Sequence, residues 1–490
     1  MISFAPSKAS ASTRALPSPG ACCCLVLLAA AFLIRAPAFG DPAYKIDEQF
    51  YLLVGDRMLH GSLPYVDIWD RKPIGLFLIY AAARLLGGSG FVQYQILATL
   101  CAAGTAMCIF AFSRRYAGLA GATIGGLLYL IWVEIAEGGG GQSPIFYNLP
   151  MAGAALLLAA PERSRTSPRA FWAMLLVGIA IQIKYSAVIE GFFFGLVAAY
   201  QAWCRNRRTA LAETLLLAAT ALAPSLIALG TYAAMGHAGE FWFANFTSIF
   251  LRGKTPAEDL SHRAATALLR LIPFTICGLA SSWYLLRCDG SAEVRAWLTF
   301  LGTWCVAAVI GFFAIGVLYS HYILPLFVPF TAAAVPICRR RPIGPVLLGI
   351  AAWLPASTIA WPDFATAARS QKQMAELSAL VPAEVATGCM QMFDGPPILY
   401  YLTHACTVSR YVFPDHLSAA NEDGATGVDT AAETKRVLDE RPLVITIGDS
   451  DVRPPNARTF AIMREGLARF YRHVGRVWVD ERFVSVYVRR

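Results

Sequence analysis

Runs of about twenty apolar residues recur through the first three quarters of this 490-residue chain, and nothing else in it constrains the fold as tightly. Each run is long enough to cross a hydrocarbon core. A segment in lipid must satisfy its own backbone hydrogen bonds, which makes each run a helix. With 57% hydrophobic and only 15% charged residues, the composition excludes an ordinary soluble protein. The net charge of +9 does not mark a nucleic-acid partner, because the basic residues fall in short clusters between apolar runs. Clusters so placed carry topology information.

The first run, residues 21–39, is interrupted only by Arg35 and closes with Ala36-Pro37-Ala38-Phe39-Gly40. It has the outline of a cleaved signal peptide. Retained as a helix, it gives consistent sidedness to everything after it, and this is the expectation. An apolar stretch at 74–86, bordered by Arg84, is short enough to lie at the interface. The further candidate spans are residues 92–112, 117–136, 145–160, 170–189, 191–204, 209–235, 264–286, 296–318, 320–337 and 343–361. Between them come Arg114-Arg115, Glu162-Arg163-Ser164-Arg165 with Arg169, Arg205-Asn206-Arg207-Arg208, Arg287 with Arg295, and Arg339-Arg340-Arg341. All five clusters fall on one side, and the alternate loops are Gly-rich, aromatic or acidic. The expectation is a polytopic α-helical membrane protein with about eleven spanning helices. Its N-terminus would be cytoplasmic, and residues 40–73 would form the first outer loop.

Near Pro362 the composition turns ordinarily polar. Apolar β-type stretches (442–447, 477–479, 483–488) alternate with helical patterns (365–380, 431–440, 459–471). Residues 363–490 therefore read as a small α/β domain, outside the cytoplasm if the spans are odd in number, following a membrane domain over 1–362. Most of the twelve cysteines lie in apolar runs, and no CxxC pair or Cys/His metal spacing occurs. Cys389 and Cys406, in the polar part, are the pair able to form a disulfide.

The first outer loop is out of character with its surroundings. From Ile46 to Pro73 it carries five carboxylates, three strong bases and a histidine, with several aromatics. Ionisable residues crowded at a bilayer edge point to a functional site. Asp47-Glu48 opens a helical pattern, so the pair reads either as acids at a helix start or as a base and its partner. A carboxylate at the edge of low dielectric is expected to have a raised pKa and to suit proton abstraction from a hydroxyl. Arg71 and Lys72, at headgroup depth before the interfacial helix, suit a lipid phosphate; singly, such residues also snorkel to anionic headgroups.

Asp47-Glu48-x-x-Tyr51-Leu52, followed by Leu59-x-Gly61-x-x-Pro64-Tyr65-x-Asp67-x-Trp69-Asp70-x-Lys72-Pro73, resembles the first outer loop of GT-C membrane glycosyltransferases. The branch it resembles is family thirty-nine, related to protein O-mannosyltransferases and to the lipid A aminoarabinose transferase. The resemblance continues through Arg114-Arg115-Tyr116-Ala117-Gly118, Gly178 to Lys184-Tyr185, and His321-Tyr322-Ile323-Leu324-Pro325. It implies Asp47 as catalytic base with Glu48 as its partner, and Lys72, with Arg71 and Lys184, as holders of a donor phosphate. Tyr51, Tyr65, Asp67, Asp70, His321 and Tyr322 would line the substrate cavity. The implied reaction is sugar transfer from a polyprenyl-phosphate donor to an acceptor hydroxyl of a lipid, glycan or protein, with inversion, at the outer face of the cytoplasmic membrane. No cofactor is required by it, although Asp67 and Asp70 are compatible with a divalent cation. The chain departs from the family at Asn148-Leu149-Pro150, where relatives often carry Asn-Thr-Glu; Glu134 and Glu137 are the nearby acids. A lipid-sugar flippase and a non-catalytic scaffold are the competing classes. A flippase would show paired halves with matching interrupted helices and charges near the midplane; a scaffold would tolerate conservative replacement of Asp47.

Overall fold

The computed structural model describes residues 18–159, 168–314, 316–358, 364–449 and 453–490. Helix α1 (Pro19–Arg35) leads into the loop over 40–73, which holds α2 (Ile46–Leu59), and α3 (Ile74–Leu85) follows directly. Then come α4 (Phe91–Ile135), α5 (Ser143–Ala159), α6 (Pro168–Ile183), α7 (Ala187–Arg205), α8 (Ala210–Ala234), α9 (Ala257–Cys288), α10 (Ala292–Ala314), α11 (Phe327–Ala334) and α12 (Ile343–Thr358).

Among the described residues six helices, α4 among them, are long and apolar enough to cross a membrane, and shorter apolar helices accompany them. At 45 residues α4 is in fact two arms, because Gly118 leaves helical geometry at φ 73°. A Cβ on Gly126 would lie 3.2 Å from the Ala106 carbonyl oxygen, so the second arm folds back on the first. Only glycine reaches that left-handed conformation without strain. Each of the eleven expected spans thus meets helix. The one expected over 320–337 is the most broken: a 3₁₀ turn at Ser320–Ile323, then α11, then a 3₁₀ segment at Val335–Arg339. Pro325, Pro329 and Pro336 remove backbone donors there. The expected span over 170–189 ends earlier, at Ile183, leaving Lys184 in the break before α7. The basic run at 162–165 and the domain boundary near Pro362 lie outside the described residues.

Apolar side chains such as Phe192, Leu215, Leu279 and Ile310 project outward, where lipid would lie. Buried Arg35 ties α1 to the Gly-rich turn after α4. Its guanidinium donates to Thr99 Oγ1 at 3.1 Å, to the carbonyls of Gly138 and Gly140 at 2.6 Å each, and to Glu134 at 3.0 Å. At the far end of the bundle the basic clusters meet: Arg115 pairs with Glu293, and Arg339 donates to the Arg115 carbonyl.

The C-terminal part carries four strands, β1 (Met390–Met392), β2 (Val444–Gly448), β3 (Tyr471–Val479) and β4 (Arg482–Arg489), in the order β1-β2-β4-β3. Only β1–β2 is parallel; Val444 faces Met390 on one side and Val488 on the other. Helices Phe364–Ala379, Thr430–Glu440 and Ala457–Phe470 match the expected patterns, and β1 was not foreseen. Cys389 and Cys406 form a disulfide. This unit sits on the loop between α2 and α3: the Trp69 amide donates to the Arg410 carbonyl at 2.9 Å, and Trp69 packs on Tyr411 and His416.

Candidate active site

The first turn of α2 brings Asp47 to the wall of a cavity of about 720 Å³. An acid there is favoured by the exposed amides of a helix start. Lys72 stands opposite, its ammonium 3.8 Å from Asp47 and 3.6 Å from Asp70, and 5.5 Å from the Tyr51 ring centre. Lys184 projects from the α6–α7 break with its ammonium 3.7 Å from the centre of the Tyr322 ring. His321 lies on the same wall, 3.8 Å from Glu137, which also faces Lys45 at 3.6 Å. Asp47, Tyr51, Asp70, Arg71, Lys72, Lys184, His321 and Tyr322 all line this cavity.

Three of the residues expected at the site are placed elsewhere. Glu48 points to the other side of α2, where a Cβ on Gly140 would lie 2.2 Å from its Oε2. Tyr65 is buried between Tyr232 and Phe241, and its hydroxyl donates to the Lys72 carbonyl at 2.8 Å, so it positions Lys72 from behind. Asp67 is exposed and accepts from the Leu63 amide at 2.6 Å, closing a turn. Asp70 instead accepts from the Arg71 amide at 2.5 Å, so the two aspartates do not converge on one point.

Four further residues complete the wall: Arg252, from the segment before α9, and His416, Glu422 and Arg453, from the C-terminal unit. Glu422 accepts both terminal nitrogens of Arg71, at 3.0 and 2.6 Å, and Arg252 lies 2.8 Å from it. Arg453 pairs with Asp415 and covers the Tyr319 ring. Sequence spacing gives no sign of these contacts, since Arg71 and Glu422 are 351 positions apart.

Electrostatics at the site follow from this crowd of cations. Burial pushes the Asp47 carboxyl up, but Lys72, His321, Arg453 and Lys184 outweigh it, and the group is held below the usual carboxylate range. The raised pKa expected from the bilayer edge is thus corrected. Burial does raise Glu48, to about 7, and Arg71 and Arg252 override burial at Glu422, bringing it to about 2. Burial and repulsion from Lys72 lower Lys184 to about 7.

Away from the charges the cavity becomes an apolar trough. Leu222, Leu226 and Leu229 of α8 face Trp242, Phe246, Ile249 and Phe250 of the following short helices. Phe250 is 86% exposed and Leu226 59%, so the trough opens sideways.

Neither family models nor curated proteins match the sequence. Among solved structures, ArnT from Cupriavidus metallidurans bound to undecaprenyl phosphate superposes with a TM-score of 0.64 at 13% identity, over 96% of this chain and 98% of that one. Its apo state gives 0.63 at 13%, over 94% and 97%. The apo oligosaccharyltransferase from Archaeoglobus fulgidus gives 0.52 at 10%, over 94% of this chain and 80% of that one. The chain has the GT-C fold. At these identities the likeness is one of architecture, and it extends over the C-terminal unit as well as the helices.

Proposed function

We propose that the protein is a membrane glycosyltransferase that takes a sugar from a polyprenyl-phosphate donor and passes it to an acceptor hydroxyl, with Asp47 as base. One observation carries this reading: a cluster of cations and a single helix-start aspartate meet at the head of an apolar trough open to the side. A prenyl chain suits the trough, and a phosphate suits Lys72, Lys184 and the neighbouring arginines. The ArnT structure that resembles this chain is a complex with undecaprenyl phosphate, which supports the same donor class.

The chemistry is a single displacement. The acceptor oxygen bonds to the anomeric carbon as the bond from that carbon to the phosphate oxygen breaks. The acceptor proton passes to Asp47, and the bonding pair leaves with polyprenyl phosphate. Attack opposite the leaving group inverts the anomeric centre. Cations stabilise the charge that develops on the departing phosphate. They also tune the base. In the empty cavity they keep Asp47 ionised; a bound phosphate draws on the same cations, so Asp47 regains basicity as the donor arrives. Glu48, buried behind Asp47, holds the start of α2 against the Gly-rich turn.

The reaction lies outside the cytoplasm at the inner membrane in this reading, with the N-terminus inside. The Cys389–Cys406 disulfide supports an oxidising compartment for the C-terminal unit.

Purified protein in proteoliposomes, given a panel of polyprenyl-phosphate sugars with source-cell membranes as acceptor, is expected to release free polyprenyl phosphate. In Asp47→Asn the rate should fall by about 10²–10⁴ with donor binding retained. Sugar lipid carried across the bilayer but never consumed would identify a flippase instead.

A further inference from the structure

A second, polar cavity of about 320 Å³ lies beside the first, at the lower end of the range for small-molecule sites. Tyr44, Lys45 and Ile46, the residues just before Asp47, form one wall; the C-terminal unit forms the other. Arg453 lines both cavities, and it acts on Asp47 through the charge between them. Ile46 lines the second cavity and Asp47, the next residue, lines the first, so the base stands close to the boundary between them.

We propose that this second cavity holds a neutral sugar ring, the part of a glycan acceptor that presents the hydroxyl to Asp47. This rests on the glycosyltransferase reading above and extends it to the class of acceptor. The two cavities differ in charge balance. Five cations line the donor cavity (Arg71, Lys72, Lys184, Arg252 and Arg453) against three carboxylates (Asp47, Asp70 and Glu422), and Lys184 has no carboxylate within ion-pair distance among the described residues. In the second cavity each arginine is matched. The Arg482 Nη2 donates to Asp394 Oδ1 at 2.8 Å, and Arg453 pairs with Asp415. A phosphate entering there would have to displace a carboxylate. A polyhydroxylated ring would not: its hydroxyls donate to the carboxylates and accept from the guanidinium groups, leaving the charge balance unchanged. Phe460 adds an apolar face on which the C–H side of such a ring can rest. Asp480 and Glu481, at the exposed turn between β3 and β4, supply further acceptors at the rim. The ring can come from a lipid-anchored glycan or from a free polysaccharide, since both present the same hydroxyls.

The test uses full-length protein in nanodiscs and two probes. Methyl glycosides of glucose, galactose, mannose and N-acetylglucosamine are followed by saturation-transfer NMR; undecaprenyl phosphate is followed by native mass spectrometry. Wild type is expected to bind at least one glycoside. Asp394→Asn and Asp480→Asn should each weaken that binding about tenfold and leave undecaprenyl phosphate binding unchanged. Lys184→Ala should do the reverse. Asp480 is exposed, so its variant stands if Asp394→Asn fails to fold. The inference is overturned if wild type binds none of the glycosides, or if glycoside binding persists in every folded variant. Failure of the wild type to bind undecaprenyl phosphate would count against the donor reading instead. With a glycoside identified, comparing its lipid-anchored and free polysaccharide forms as acceptors separates the two sources.

Discussion

Lys184 is the cation of the candidate phosphate site whose charge changes near neutrality. An ammonium brought down to about 7 by burial and by Lys72 is about half charged at neutral pH, and a bound phosphate restores its proton. Affinity for a glycosyl phosphodiester, whose own charge is constant, is therefore expected to be highest below about pH 7. It should weaken by up to about tenfold per unit above that, until the pKa of the complex is reached. Lys184→Arg keeps its charge throughout and should give a flat profile. Titrating donor affinity from about pH 6 to about pH 9 in both proteins checks this; a flat wild-type curve would remove Lys184 from the phosphate site. Lys72 could be picked out in the sequence because it stands in a strongly charged loop between apolar runs, and Lys184 only through the family resemblance. Arg252 and Arg453 sit in ordinary polar surroundings, so nothing local marks them. The direction of the Asp47 shift was equally hidden, since it depends on four basic groups drawn from four separate stretches of chain.

Among the elements, the contact that matters most is Glu422 between Arg71 and Arg252. Its side chain is 2% exposed, and removing it leaves two guanidinium groups facing each other in a buried space. Glu422→Ala is expected to cost about 3–5 kcal/mol of docking stability and to expose the outer loop to protease, with the bundle still folded. Limited proteolysis and thermal unfolding would both register it. The pH dependence runs the same way. Glu422 falls from an ordinary 4.5 to about 2 on folding, so its contribution is complete above 4.5 and is lost as pH falls towards 2. Helix positions were legible because lipid imposes one period and one length on every span, and Arg114-Arg115 flagged the reversal at Gly118. The segment after residue 320 is helical but more broken than its apolar character suggests, because three prolines interrupt its hydrogen bonding. Which face of α2 meets the cavity was not legible either: Asp47 and Glu48 are adjacent, and only packing against Gly140 decides between them.

For the whole molecule, the basic clusters and the disulfide define opposite ends. Cys204 and Cys288 are exposed beside Arg205 and Arg287, at the end away from Asp47. A membrane-impermeant maleimide should leave both unlabelled in intact cells and label them in inverted vesicles. Labelling from outside would reverse the proposed orientation. The polar C-terminal stretch read as an appendage of unknown use, and it supplies one wall of the cavity, because a partnership between Arg71 and a residue 351 positions later leaves no periodic trace. That arrangement has a consequence in time. A ribosome finishes the trough and the loop that carries Asp47 long before it reaches Glu422 and Arg453, and those residues must still fold and pair. Until then the nascent chain has the lipid-facing half of its site and lacks the half that closes it. On the reading proposed above, the unfinished chain would be inactive, and a chain cut before Arg453 would lose part of that wall and be silenced as surely as by a change at Asp47.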